Sequence, residues 1–156
     1  MPHLNINDAI EPATETAELP QLARVLWLDA ITDQIVLFNI TETPKKPWVT
    51  RLSELTSLLD NGDIKTVAIV PSPFMLRIEE DLSEKEKAFR DKNWLRIQDL
   101  IETEIPGEIF QPGAMGRLIA NQAQKCKIPK KTVYRLLYRY WMNGQVRNAL
   151  LPNRFN

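Results

Sequence analysis

The sequence predicts an α+β fold in which a small β-rich N-terminal domain, residues 21–75, precedes a three-helix domain, residues 82–144. One observation is a change in the spacing of apolar residues along the chain. Before Ser83 they form runs of strand-forming residues, and after it they recur at helical spacing. The other is charge. From Gln111 onwards the chain carries 9 basic and no acidic side chains, whereas the residues before it carry 11 basic and 20 acidic ones. The formal net charge of zero therefore hides two regions of opposite sign, and such asymmetry indicates a polyanionic ligand.

Length and composition exclude several classes of protein. At 156 residues the chain can hold one ordinary domain or two small ones. Its apolar runs fall well short of the roughly 20 residues that a membrane helix needs, and its acidic, polar start does not resemble a signal peptide. The single cysteine, Cys126, excludes an internal disulfide framework and fits a reducing, cytoplasmic compartment.

The first 20 residues are predicted to be a flexible acidic tail. They contain three prolines, four acidic residues and few apolar side chains, a composition that does not bury enough surface to fold. A short partner-binding peptide is the alternative interpretation.

The β-rich domain is built from strand formers separated by turn residues. Its predicted elements are strands at 22–28 and 34–40, a short strand at Trp48-Val49, a helix at 51–60 stopped by Asn61-Gly62, and a strand at 64–70. The exposed cations Lys45, Lys46 and Arg51 fit a solvated loop better than a phosphate contact. No catalytic or phosphate-binding motif occurs here.

Three helices are predicted after Ser83. Ser83 and Glu86 have the spacing of a capping box, which marks the start of the first helix. Its apolar stripe is Phe89, Trp94, Ile97, Leu100 and Ile101, and Pro106-Gly107 ends it near Ile105. The second helix opens at Pro112-Gly113, and the third covers residues 129–142, with proline at its first position.

The second and third helices have the spacing of a helix-turn-helix motif. Small or apolar residues recur at intervals of 5, 5 and 3: Ala123 at the helix crossing, Ile128 in the turn, then Val133 and Leu136 on the last helix. Lys127 departs from the pattern, because glycine is common where the turn needs positive φ. Three helices with a basic last one resemble the homeodomain-type fold.

The side chains opposite this core stripe are predicted to face DNA. We expect Lys131, Thr132 and Arg135 near base edges, because the N-terminal half of such a helix enters the major groove. Phosphate contacts are predicted for Lys125, Lys130 and Arg139, and phosphate or sugar contacts for Tyr134 and Tyr138. The alternative is a hairpin with a solvated basic face, but solvated faces normally mix both signs.

Residues 145–156 carry Arg147 and Arg154 and show little periodicity. They are predicted to be a basic linker or an arm that follows a groove, with Arg147 as a DNA contact. A disordered end is an equally good interpretation.

Catalytic and metal sites are not predicted, nor is a cofactor. The only histidine is His3, so neither a histidine-based triad nor a zinc site can be assembled. Cys126 fits a small, half-buried filler in the turn better than a reactive thiol. Glu102, Glu104 and Glu108 fit a solvated helix end.

The last helix and the residues after it resemble the N-terminal DNA-binding region of TnsB-type transposases, which are DDE, retroviral-integrase-like subunits of heteromeric bacterial transposons. The resemblance rests on the run 131–141, on Gly144-Gln145 and on Asn148-Ala149-Leu150-Leu151-Pro152. The β-rich domain, with Arg24-Val25-Leu26 and Gln34-Ile35-Val36, is similar to the module that opens that family.

This resemblance implies binding to repeated sites in double-stranded transposon-end DNA, near the nucleoid of a bacterial cell. It implies that a further DNA-binding domain and a catalytic domain follow in the parent protein, so that this chain by itself does not cut or join DNA. The implied partners are a TnsA-type endonuclease and a TnsC-type ATPase. Two alternatives stay open: a protein-interaction scaffold in transposome assembly, and a helix-turn-helix transcription regulator.

Overall fold

The computed structural model describes residues 3–40 and 45–152. The chain divides into two compact units, one up to Ile69 and one from Val70. The first contains an antiparallel sheet and one helix, and the second contains three longer helices and several short 3-10 turns. The α+β prediction is confirmed.

The sheet of the first unit has five strands in the order β4-β3-β2-β1-β5. The strands are β1 (Ala9–Pro12), β2 (Ala23–Asp29), β3 (Gln34–Asn39), β4 (Trp48–Arg51) and β5 (Ile64–Val67). A bulge between Val25 and Trp27 shifts the register of β2 against β3. Helix α1 (Leu52–Asp60) connects β4 to β5, and Gly62 takes the left-handed conformation after it, with φ of 81°.

Strand β1 corrects the prediction of a flexible tail over residues 1–20. Ile10 is fully buried, and it pairs with Ala23 of β2 on one side and Thr66 of β5 on the other. Leu4 and Leu19, which flank the strand, lie in the same core. A four-residue strand obtains its hydrogen bonds and its burial from distant strands, so the polar composition around it does not reveal it.

The second unit contains α2 (Glu84–Ile101), α3 (Ala114–Cys126) and α4 (Lys130–Met142), with 3-10 turns at Pro73–Met75, Glu79–Asp81, Glu108–Phe110 and Arg147–Leu150. The predicted capping box is confirmed. Ser83 Oγ accepts from the backbone N–H of Glu86 at 3.1 Å, and Glu86 Oε1 accepts from the backbone N–H of Ser83 at 3.0 Å. Helix α2 ends at Ile101, before the predicted Ile105, because Glu102 leaves the helical region with φ of −90° and ψ of 77°.

The core of this unit forms between the three helices. Its fully or nearly fully buried side chains are Trp94, Ile97 and Leu100 of α2, Ile119 and Ala123 of α3, and Val133, Leu136, Leu137, Tyr140 and Trp141 of α4. Phe89 departs from the predicted stripe, since its side chain is 44% exposed. The buried face of α2 runs through Glu86, Arg90, Asn93 and Ile97, and at 100° per residue Phe89 lies about 70° from the centre of that face, at its margin.

Candidate nucleic-acid interface

The turn between α3 and α4 has helix-turn-helix geometry. Lys127 takes the left-handed conformation, with φ of 57° and ψ of 45°, at the position where glycine is common. This conformation lets the backbone N–H of Ile128 donate to the carbonyl of Ala123 at 3.0 Å, which closes the end of α3. Ala123 is 5% exposed, as expected where two helices cross closely.

One face of α4 is fixed in the core. Pro129 stands before the helix in an extended conformation, and the helix begins at Lys130. Val133 and Leu137 are fully buried and Leu136 nearly so. The opposite face, about 180° around the helix, is consequently the one presented to a ligand.

This outer face is basic from the turn to the second turn of α4. Lys127, Lys130, Lys131 and Arg135 are all exposed, and none of them has an ion-pair partner within residues 3–40 and 45–152. Thr132 is half-buried beside them. Because no acidic residue occurs after Gln111, the charges add to a local positive potential that attracts phosphates.

Lys125 lies at the edge of this face and forms an ion pair with Asp99. Its Nζ lies 2.6 Å from Asp99 Oδ2 of α2, and this hydrogen bond raises the pKa of the lysine. Both side chains are largely exposed, so the pair contributes little to stability and exchanges easily for a phosphate.

Tyr134 and Tyr138 lie along one flank of α4 and are half-buried. Their rings meet edge to face with centroids 6.0 Å apart, and Tyr138 also contacts Trp141 at 5.8 Å. Burial raises the pKa of Tyr138. The two phenols therefore form a fixed aromatic edge beside the basic face.

Arg139 was predicted as a phosphate contact, and it follows Arg135 by one helical turn, but its guanidinium is bonded to the chain after α4. Its Nε donates to the carbonyl of Ala149 at 2.7 Å and its Nη2 to the carbonyl of Leu151. The guanidinium also lies 5.3 Å from the centroid of the Phe74 ring, and burial lowers its pKa. Its donors are used to hold the chain that follows α4.

Arg147 is also placed differently from the prediction of a linker or arm. It begins a 3-10 turn whose next residues, Ala149 and Leu150, are fully buried. Its guanidinium lies 4.7 Å from the Trp94 ring, and Trp94 in turn contacts Tyr140 on the buried side of α4. The side chain of Arg147 is exposed, and its contact with DNA stays a prediction. Arg154 lies outside the described residues.

Sequence reasoning missed a polar network that anchors the chain on either side of the three helices. Asn148 Nδ2 donates to the carbonyls of Met75 and Arg77, both at 3.1 Å, and Asn148 Oδ1 accepts from Arg90 Nη1 at 3.1 Å. Asn93 Nδ2 donates to the carbonyl of Leu150 at 3.4 Å. Asn148 is separated from these partners by 58 to 73 residues, so no local pattern identifies it.

Within the described part of the chain, no helix combines the length and apolar character that crossing a bilayer requires. Within it too, no three histidine, cysteine or acidic side chains are grouped so that they could hold a metal ion.

Comparison with known proteins identifies the family to which this chain is similar. Residues 90–153, which include α3 and α4, match the family model described as the TnsB second domain. The chain is 30% identical over 130 residues to the Tn7 transposition protein TnsB of Escherichia coli. That alignment covers 81% of this chain and 18% of the relative, so the chain spans less than a fifth of the length of the curated protein it matches. The two matches agree with each other and with the helix-turn-helix geometry, and the chain belongs to the TnsB family of transposase subunits, as its N-terminal region.

Proposed function

We propose that this chain binds the duplex DNA of transposon ends in a sequence-specific manner, with α4 in the major groove. The observation that carries the proposal is the division of α4 into a buried apolar face and an opposite face with Lys131 and Arg135 exposed. A helix held in this way by a preceding helix and turn has the arrangement of a recognition helix.

The exposed side chains suit different contacts. Arg135 and Lys131, with Thr132 beside them, are nearest base edges, and an arginine can donate two hydrogen bonds to one guanine. Lys127 and Lys130 lie at the turn and suit phosphates, as does Lys125 once it leaves Asp99. Tyr134 and Tyr138 suit the sugar-phosphate edge, whereas the donors of Arg139 are used within the fold.

The test is binding of the whole chain to a fluorescent duplex from the end of its own element, measured by anisotropy at several salt concentrations. A shuffled duplex of the same composition is the control. With ~4–6 phosphate contacts, the logarithm of affinity should fall with the logarithm of salt with a slope of about −4 to −5. The end duplex should compete better than the shuffled one. Equal, salt-insensitive binding of both would exclude base reading by α4.

The activity of the parent transposase is a separate proposal. We propose that this chain contributes DNA recognition and that strand transfer is performed elsewhere in the parent protein. A TnsA-type endonuclease and a TnsC-type ATPase are its proposed partners there. Mixing this chain with transposon-end DNA and a divalent metal ion should give binding without strand breakage.

A further inference from the structure

We propose that α2 carries a second DNA-contacting surface, separate from α4, that binds the sugar-phosphate backbone. It consists of Lys85, Phe89, Lys92 and Arg96, here called the α2 stripe. The inference rests on the proposed function and extends it, since it assigns a backbone contact to a helix outside the helix-turn-helix pair.

The four side chains lie on one flank of α2, beside its buried face. Their spacing of 4, 3 and 4 residues, at 100° per residue, confines them to an arc of about 60° on α2. Lys85 and Lys92 are exposed, Arg96 is half-buried, and Phe89 is 44% exposed between the two lysines. The three cations of the stripe can contact backbone phosphates, and Phe89 lies between them.

The cations of the stripe are distinguished by their lack of carboxylate partners. Helix α2 contains four acidic residues, and each pairs with a cation outside the stripe: Glu84 with Lys87, Glu86 with Arg77, Asp91 with Arg90, and Asp99 with Lys125. Among the residues that the structure describes, Lys85, Lys92 and Arg96 form no ion pair. Lys92 and Arg96 also stand at i and i+4, where like charges repel unless an anion compensates them.

The C-terminal end of the stripe is held next to α3, which leads to the proposed DNA interface. Gln122 Nε2 of α3 donates to the carbonyl of Arg96 at 3.0 Å, and Lys125 of α3 pairs with Asp99 at 2.6 Å. These bonds hold the C-terminal half of α2 against the end of α3, from which the turn leads to Lys130. Lys85 and Arg96 are eleven residues apart, or about 16 Å along the helix, which is long enough to contact several phosphates.

The experiment compares two triple variants of the whole chain that remove the same charge. K85Q/K92Q/R96Q removes the stripe, and K45Q/K46Q/K65Q removes three exposed cations of the sheet unit. Binding to the end duplex and to the shuffled duplex is measured over a salt series. For the stripe variant we expect the magnitude of the log–log slope to fall by about 2 to 3, with equal losses on both duplexes, because backbone contacts carry no sequence information. The control variant should keep the wild-type slope.

Two additional variants keep the result interpretable. K85Q/K92Q changes only exposed side chains and should still reduce the slope by about 2, so a folding defect at Arg96 does not decide the outcome. K131A/R135A tests α4 in parallel. If the wild-type chain binds no duplex, the proposed function itself fails.

If K131A/R135A loses base preference while both stripe variants bind as wild type, only the α2 stripe is refuted. Equal losses in the stripe and control variants would attribute the effect to net charge and also overturn it.

Discussion

Arg139 donates its Nε hydrogen bond to the carbonyl of Ala149 at 2.7 Å, ten residues further along the chain. With its second bond to the carbonyl of Leu151 and its contact with Phe74, the guanidinium joins α4 to the segments at either end of the helical unit. A cation that the sequence assigns to phosphate binding is therefore a structural side chain.

We expect Arg139→Ala to lower the free energy of unfolding by about 1.5–3 kcal/mol, because a hydrogen bond from a charged donor is lost and two carbonyls lose their partner. Urea denaturation followed by circular dichroism measures the change. Arg117→Ala is the control: Arg117 is exposed on α3, and surface substitutions of this kind stay within about 0.5 kcal/mol. If Arg139→Ala were as stable as the control but bound DNA poorly, the guanidinium would face DNA instead.

Arg135 and Lys130 should differ in how they affect binding. Arg135→Ala should abolish preference at one base pair, worth about 1–3 kcal/mol of discrimination. Lys130→Ala should weaken binding to all duplexes by the same factor and reduce the magnitude of the salt slope by about 1. Competition by end duplexes, each with a single base pair changed, measures both effects, with Lys46→Ala as the control. If Arg135→Ala lowered the affinity for every duplex by the same factor, Arg135 would be a phosphate contact and not a base contact.

The capping box and the helix-turn-helix could be predicted because their signals are local. Ser83 and Glu86 are three residues apart and form two reciprocal hydrogen bonds. Ala123, Ile128 and Val133 lie within eleven residues of one another, and their spacing indicates how two consecutive helices pack. The left-handed conformation of Lys127 follows from the same spacing, although its side chain does not favour it.

The remaining features depend on partners that are distant in sequence. Strand β1 exists because β2 and β5 pair with it on both sides, and β5 lies more than fifty residues away. Arg139 turns inward because Ala149 and Leu151 return to α4. In both cases tertiary contacts decide between two locally acceptable states, which composition and periodicity do not distinguish.

Substitution of Ile10 tests whether β1 belongs to the core of the sheet unit. We expect Ile10→Ala to destabilise the sheet unit by about 2–5 kcal/mol, because a fully buried side chain leaves a cavity. Ile31→Ala is the same substitution at a side chain that is 95% exposed, and it should change stability by less than about 0.5 kcal/mol. Urea unfolding of both variants gives the difference. Equal stabilities would mean that the first residues form a tail in solution.

Glu86 should make the helical unit sensitive to acid. The hydrogen bond from Arg77, with the backbone N–H of Ser83, lowers the pKa of Glu86 from 4.5 to about 2. Because the folded pKa lies below the unfolded one, this stabilisation is present above pH 4.5 and is lost as the pH falls towards about 2. We expect Glu86→Gln to melt below wild type at pH 7 and to approach wild type near pH 2. Glu84→Gln, at a side chain that is 93% exposed, is the control. A melting difference independent of pH would show that the carboxylate charge is not involved.

Lys127 combines a strained backbone with a proposed phosphate contact, so its replacement by glycine should have two opposite effects. A non-glycine residue in the left-handed region costs roughly 1 kcal/mol, and glycine adopts that region freely. We therefore expect Lys127→Gly to raise the free energy of unfolding by up to about 1 kcal/mol while it reduces the salt slope of DNA binding by about 1. Gln124→Gly, at an exposed position in the last turn of α3, is the control and should destabilise by about 1 kcal/mol with an unchanged salt slope, because glycine is unfavourable within a helix. Urea titration and salt-dependent anisotropy on the same preparations separate the two effects. A gain in stability with an unchanged slope would remove Lys127 from the DNA interface but leave the geometry of the turn intact.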